Sequence, residues 1–78
     1  MTTIRDMVLY IAQSLADRPE AVEVRETAGE TTIMIEISVA AEDVGRIIGR
    51  KGRTINAIRS LARILGAKQG KKVSVEVT

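Results

Sequence analysis

Residues 31–39 alternate without a break, with Ile33, Ile35, Ile37 and Val39 on one side and Thr32, Met34, Glu36 and Ser38 on the other. A period of two over that length marks a β-strand with one buried face. Its branched aliphatic side chains need a second layer to cover them, and its two rows of backbone polar groups need flanking strands. Residues 21–26 supply one flank, with Val22 and Val24 opposed to Glu23 and Arg25. Ala28-Gly29-Glu30 is the turn of the resulting antiparallel hairpin. Residues 72–77 alternate again, with Val73, Val75 and Val77 inward.

The rest of the chain reads as helix. Residues 3–16 place Ile4, Met7, Val8, Ile11 and Leu15 at helical spacing, Thr3 and Asp6 resemble a capping box, and Arg18-Pro19 ends the segment. Residues 42–48 form a short helix with Val44, Ile47 and Ile48 inward and the acids Glu42 and Asp43 in its first turn. Gly49-Arg50-Lys51-Gly52 breaks the pattern. Residues 54–65 then resume it with Ile55, Ile58, Ala62 and Leu65 as core face, and Gly66 fits a C-terminal stop. The order is α-β-β-α-α-β. Burying one face of each element gives an α+β two-layer sandwich, three helices on one face of a three-stranded sheet. At 78 residues this is a single domain, and about 60–65% of the unfolded chain's surface is buried at such a size.

Composition removes whole classes of chemistry. The chain has no Cys and no His, which excludes thiol nucleophiles, imidazole acid–base work, disulfides and nearly every zinc site. No cofactor or metal is expected. Lys51 beside glycines invites a nucleotide-loop reading, but no glycine stands five residues before Gly49, and Gly52 replaces the required Ser/Thr. The chain is read as not an enzyme. Tyr10 is the only aromatic residue, so bases are not stacked on an aromatic platform. The longest apolar run, residues 8–12, is far short of a membrane span. Arg5 and Asp6 interrupt any secretory leader. A cytoplasmic location without membrane contact is the expectation.

The net charge of +2 hides a division. Residues 1–43 carry nine acidic against three basic groups, whereas residues 44–78 carry nine basic groups against Glu76 alone. A half this basic points to a polyanionic partner, unless the acidic half neutralises it within the fold. The loop at Gly49–Gly52 sharpens the question. Glycine at both ends frees the backbone and lets a phosphate chain approach without meeting a Cβ. The following helix aims its free N–H groups and positive dipole end at the same spot. Arg50, Lys51 and Arg53 add full charges. The plainer alternative is a tight helix–helix turn.

Residues 47–55, Ile-Ile-Gly-Arg-Lys-Gly-Arg-Thr-Ile, resemble the Gly-x-x-Gly core of a KH domain. Nearly the whole chain fits the type II arrangement: residues 31–78 as the strand–helix–helix–strand core, and residues 1–30 as the preceding helix and strand. A free-standing domain of this length is similar to the small bacterial KhpA-type proteins. The resemblance implies that single-stranded RNA, or single-stranded DNA, lies in a narrow groove holding four nucleotides. One wall is the helix ending at Ile48, the loop and the helix from Arg53. The other is the last strand with the short loop at residues 66–71. The site residues implied are Arg46, Ile47, Gly49, Arg50, Lys51, Gly52, Arg53, Ile55, Asn56 and Arg59. Ile47, Ile55 and Ile58 are groove floor or plain core. Arg59 and Arg63, with Arg46, Lys68, Lys71 and Lys72, are phosphate contacts or a solvated face. Leu61 and Ile64 fall outside the core stripe of their helix and mark a partner surface. The resemblance implies self-association there, or pairing with a larger KH-containing protein. It points to an RNA chaperone or post-transcriptional regulator. The competing reading is a protein-interaction scaffold with a secondary nucleic-acid groove.

Overall fold

The computed structural model describes residues 4–78. The elements are α1 (Ile4–Leu15), β1 (Glu23–Ala28), β2 (Thr32–Ser38), α2 (Val44–Ile48), α3 (Arg53–Lys68) and β3 (Lys72–Val77). The strand with the strongest alternation, β2, takes the centre of the sheet in the order β1-β2-β3. It pairs antiparallel with β1, Arg25 opposite Glu36, and parallel with β3, Ile35 opposite Val75. A hairpin connects the first pair. Parallel neighbours need a crossover instead, and α2 with α3 is that crossover, which lays both helices over one face. Ile33, Ile35, Ile37, Val73 and Val75 are buried on that face, while Thr32, Met34, Ser38, Lys72, Ser74 and Glu76 on the other are exposed. Val8 and Ala12 of α1, Ile47 of α2, and Ile55, Ile58 and Ala62 of α3 close the core from above. Each large aliphatic side chain buried there contributes about 1.5–3 kcal/mol of transfer free energy.

Several boundaries differ from the sequence reading. The capping box at Thr3 lies outside the described residues. Leu15 is exposed at the last turn of α1, and the smaller Ala12 takes the buried position, where the helix lies closest to its neighbours. β1 starts later than residue 21, because Pro19–Ala21 forms a 3-10 turn, closed by the Val22 N–H donating to Pro19 O at 3.1 Å. Residues 41–43 likewise enter α2 as a 3-10 turn. Ile48 is exposed, not inward. Gly66 does not stop α3, which runs on to Lys68. The stop is Gly70 at φ 70°, with the Gly70 N–H bonding Ala67 O and the Lys71 N–H bonding Gly66 O, a Schellman closure. Gly66 serves close approach: a Cβ there would collide with the Val73 side chain and sit 3.0 Å from Lys71 O.

Two arginines finish the sheet. Arg5 Nε of α1 donates to Val24 O at 2.8 Å, and Arg59 Nε of α3 donates to Val75 O at 3.1 Å. Both carbonyls belong to outer strands.

Asp43 is the one charged side chain fully buried among the described residues. It accepts the backbone N–H groups of Asp17 and Arg18, each at 3.0 Å, and lies 3.3 Å from Arg46 Nε. The Asp17 hydrogen bond leads in holding its carboxyl below the ordinary value, against the upward push of burial. The aspartate thereby ties the chain leaving α1 to the start of α2.

Candidate nucleic-acid interface

The link between α2 and α3 turns in four residues. The Gly49 N–H closes α2 onto Gly45 O at 2.8 Å, and the Gly52 N–H donates to Gly49 O at 3.1 Å. Gly49 has φ 76° and ψ 171°, Lys51 φ 58° and ψ 23°, and Gly52 φ 76° and ψ 14°. Three residues of the link thus have positive φ, and only Lys51 carries a Cβ into that region. Gly49 is required twice over, because a Cβ there would also strike the Thr54 hydroxyl; at Gly52 the nearest atoms would be 3.7 Å away. The loop is therefore bare backbone at both of its ends.

Arg50, Lys51 and Arg53 stand exposed around it. Among the described residues none of the three makes an ion pair. No side chain caps the start of α3; the Arg53 N–H is taken up by Arg50 O within the turn, and the positive end of the helix dipole lies beside those cations. The arrangement gathers fixed positive charge on one corner whose loop begins and ends in glycine. A phosphodiester is the natural complement.

From that corner a cleft runs between α3 and the outer edge of β3. Its first part, about 360 Å³, is lined by Asn56, Arg59, Ser60 and Arg63 of the helix and by Ser74, Val75 and Glu76 of the strand. Its second part, about 380 Å³, is lined by Arg63, Lys71, Lys72 and Val73. From Arg53 to Arg63 the helix advances about 15 Å. Loop and cleft thus form one basic track along α3. Arg59 is pinned in it: Nε on Val75 O, and Nη1 3.1 Å from Asn56 Oδ1.

The residues expected at the site separate into groups. The structure brings Gly49, Arg50, Lys51, Gly52, Arg53, Asn56 and Arg59 onto the track. It turns Arg46 away, onto Asp17 Oδ2 at 2.8 Å and Asp43. Ile47 has no exposed surface, and Ile55 and Ile58 are buried. They support the loop from beneath as core, with no face for a ligand. Ile48, assigned inward by sequence, is the apolar side chain exposed at the loop's entry. Arg63, Lys71 and Lys72, for which a plain solvated face was the alternative, line the cleft. The last strand, expected from the resemblance as the second wall, does line the cleft, and it does so by its outer edge, which pairing with β2 alone leaves open. Leu61 and Ile64 lie outside the core, 47% and 58% exposed. Three faces of α3 are thus distinct: core, cleft and an apolar outer strip. Among the described residues no cluster of acidic side chains could hold a metal ion, and no helix is long and apolar enough to cross a membrane.

Residues 5–77 match the family described as KhpA/KhpB, KH domain. The chain belongs to this family. It is 45% identical over 74 residues to the RNA-binding protein KhpA of Chlamydia caviae, covering 95% of each chain. It is 46% identical over 72 residues to that of Caldanaerobacter subterraneus, covering 92% of this chain and 96% of the relative. Among solved structures, Aquifex aeolicus Era shares the fold at a TM-score of 0.68 and 24% identity. The likeness covers 95% of this chain, which spans 29% of that one. A second Era structure, in complex with a segment of 16S ribosomal RNA, matches at a TM-score of 0.64 and 26% identity, over 95% of this chain and 28% of the other. The fold is the type II KH arrangement. In this KH domain, the Gly49–Gly52 link joins α2 to α3, and β3 is the strand facing α3 across the cleft.

Proposed function

We propose that the chain is a non-catalytic RNA-binding module that grips a short single-stranded segment. The sugar–phosphate strand rests on the Gly49–Gly52 loop, where Arg50, Lys51 and Arg53 neutralise it, and the bases lie in the cleft between α3 and β3. The carrying observation is that the glycine-flanked loop adjoins, through Gly52 and Asn56, a cleft rimmed by arginine and lysine. Family membership and the RNA-binding names of its relatives support the same reading. One groove touches few bases, so useful selectivity requires a second copy or a partner. The strip at Leu61 and Ile64, one helical turn apart and exposed, is the surface we assign to that pairing, with a second copy or a larger KH-containing protein. The biological role on this reading is that of an RNA chaperone or post-transcriptional regulator acting in the cytoplasm.

The test is a gel-shift titration of Arg50→Asp/Lys51→Asp with single-stranded RNA. Both side chains are exposed and unpaired, so the variant keeps the wild-type circular dichroism and loses binding. Wild-type affinity in the folded double variant overturns the groove. The second reading, a protein scaffold, is favoured by the same apolar strip. Sedimentation of Ile64→Asp separates the two: a monomeric variant that still binds RNA assigns the surfaces distinct tasks, whereas loss of partner association with no RNA binding in either form favours the scaffold.

A further inference from the structure

The cleft has a chemical polarity that the loop does not share. Val75 O points out of the sheet toward α3, where Arg59 Nε caps it. The N–H groups of Lys72 and Thr78 bond Thr31 O and Ile37 O of the β2 side. Even positions of β3 therefore face β2, and odd positions face the cleft. In an extended strand a residue's N–H leaves on the same edge as its C=O, so the Val75 N–H also opens into the cleft. Its carbonyl, the acceptor that would take a base's amino group, already spends one of its two lone pairs on Arg59. Asn56 Oδ1 is engaged likewise, by Arg59 Nη1. The donors beside Val75 are its own N–H, the Asn56 amide N–H₂ and the outer N–H groups of Arg59, whose Nη2 has no partner among the described residues; Ser60, Ser74 and Glu76 line the same part of the cleft. The two bonds on Nε and Nη1 fix the guanidinium plane, so its open edge is a preformed fork.

We propose that Arg59 is the specificity-determining residue of the cleft, and that the base it selects is one presenting two adjacent acceptors on one edge. Guanine offers such a pair at O6 and N7, and cytosine at N3 and O2. Adenine interposes its amino group between N1 and N7, and uracil interposes N3–H between two carbonyls. A fork that donates twice in one plane pairs fully with the first two bases and leaves a donor against a donor, or unpaired, with the others. Asn56 is the positioning residue that holds the fork. This inference rests on the nucleic-acid reading above and adds to it which base the cleft accepts.

The experiment uses five-nucleotide RNAs of uridine with G, C, A or U at the centre, titrated against the whole chain by fluorescence anisotropy. Expected is tighter binding of the G-centred or C-centred RNA, or both, by roughly 5- to 150-fold over the A- and U-centred ones, the range for one bidentate contact. Arg59→Lys keeps the charge and lacks the fork, and brings that ratio to about one. A probe on the RNA side does not depend on the variant's folding. Replacing the preferred base by 7-deazaguanosine or 3-deazacytidine removes one acceptor of the pair and abolishes the preference in the wild-type protein. Equal binding of all four RNAs, preference for A or U, or a preference that survives Arg59→Lys or the deaza bases overturns the proposal and leaves the groove standing. Failure to bind any of the four overturns the groove reading and this inference with it.

Discussion

Gly49→Ala and Gly52→Ala make the same chemical change at the same φ of 76°, yet the loop geometry assigns them different costs. At Gly52, ψ 14° is ordinary left-handed backbone, and a Cβ meets nothing closer than 3.7 Å. The substitution then costs only the left-handed penalty, about 1–2 kcal/mol. At Gly49, ψ 171° falls where glycine alone is at ease, worth about 1–3 kcal/mol of strain. A Cβ there also strikes Thr54, and overpacking adds about 1–3 kcal/mol. Gly49→Ala should therefore cost about 2–6 kcal/mol, a large share of the roughly 4–12 kcal/mol expected for a domain of this size. Thermal and urea unfolding followed by circular dichroism measure both. Gly52→Ala should lower Tm by roughly 4–16 °C, and Gly49→Ala clearly further. Adding Thr54→Ala to Gly49→Ala should recover part of the loss, since it removes the hydroxyl, the nearest atom, and leaves the backbone strain and the contacts with Cβ and N of residue 54. Equal losses at the two glycines, or no recovery with Thr54→Ala, would refute the reasoning.

Gly66→Ala would gain about 1 kcal/mol on a bare helix. Here the new methyl meets Val73 and Lys71 O, so thermal melting should show a net loss of up to about 2 kcal/mol, and a rise in Tm would contradict the close approach. Lys51→Gly relieves a left-handed lysine, so stability should change by less than about 1 kcal/mol while RNA affinity falls in the gel shift. Asp43 has a lowered folded-state pKa, so the unfolded chain binds more protons. Its contribution is present above its ordinary 3.8 and is lost as pH falls through the folded value. Asp43→Asn should thus melt well below wild type at neutral pH, with the gap closing in the acid range; a pH-independent gap would count against the charged tie. Affinity for single-stranded RNA should fall with salt at a log–log slope of about −0.7 per phosphate neutralised, less one such step for Lys51→Gly; an unchanged slope would remove Lys51 from the contact.

The architecture was legible because β2 alternates over its whole length and α3 repeats Ile55, Ile58 and Ala62 at helical spacing. The loop was legible because two glycines flank two cations. What stayed hidden depends on contacts distant in the chain. Arg46 looks like any other cation of the basic half until Asp17 and Asp43 are brought beside it. A helix as short as α2 does not define its own face, so periodicity placed both Ile47 and Ile48 inward when only Ile47 is buried. Gly66 and Gly70 are equally plausible stops on paper; the nearness of Val73 alone separates the glycine that admits a strand from the one that ends a helix. The hydrogen bonds of Arg59 to Val75 and Asn56 combine a neighbour on the helix with a carbonyl 16 positions away.

The arginines at the two margins of the sheet also bear on how copies of this domain meet. A bare margin invites a stranger's strand to zip on, and repeated zipping grows fibrils. With a guanidinium seated on one carbonyl of each outer strand, an incoming strand meets a side chain at that point and finds one acceptor already engaged.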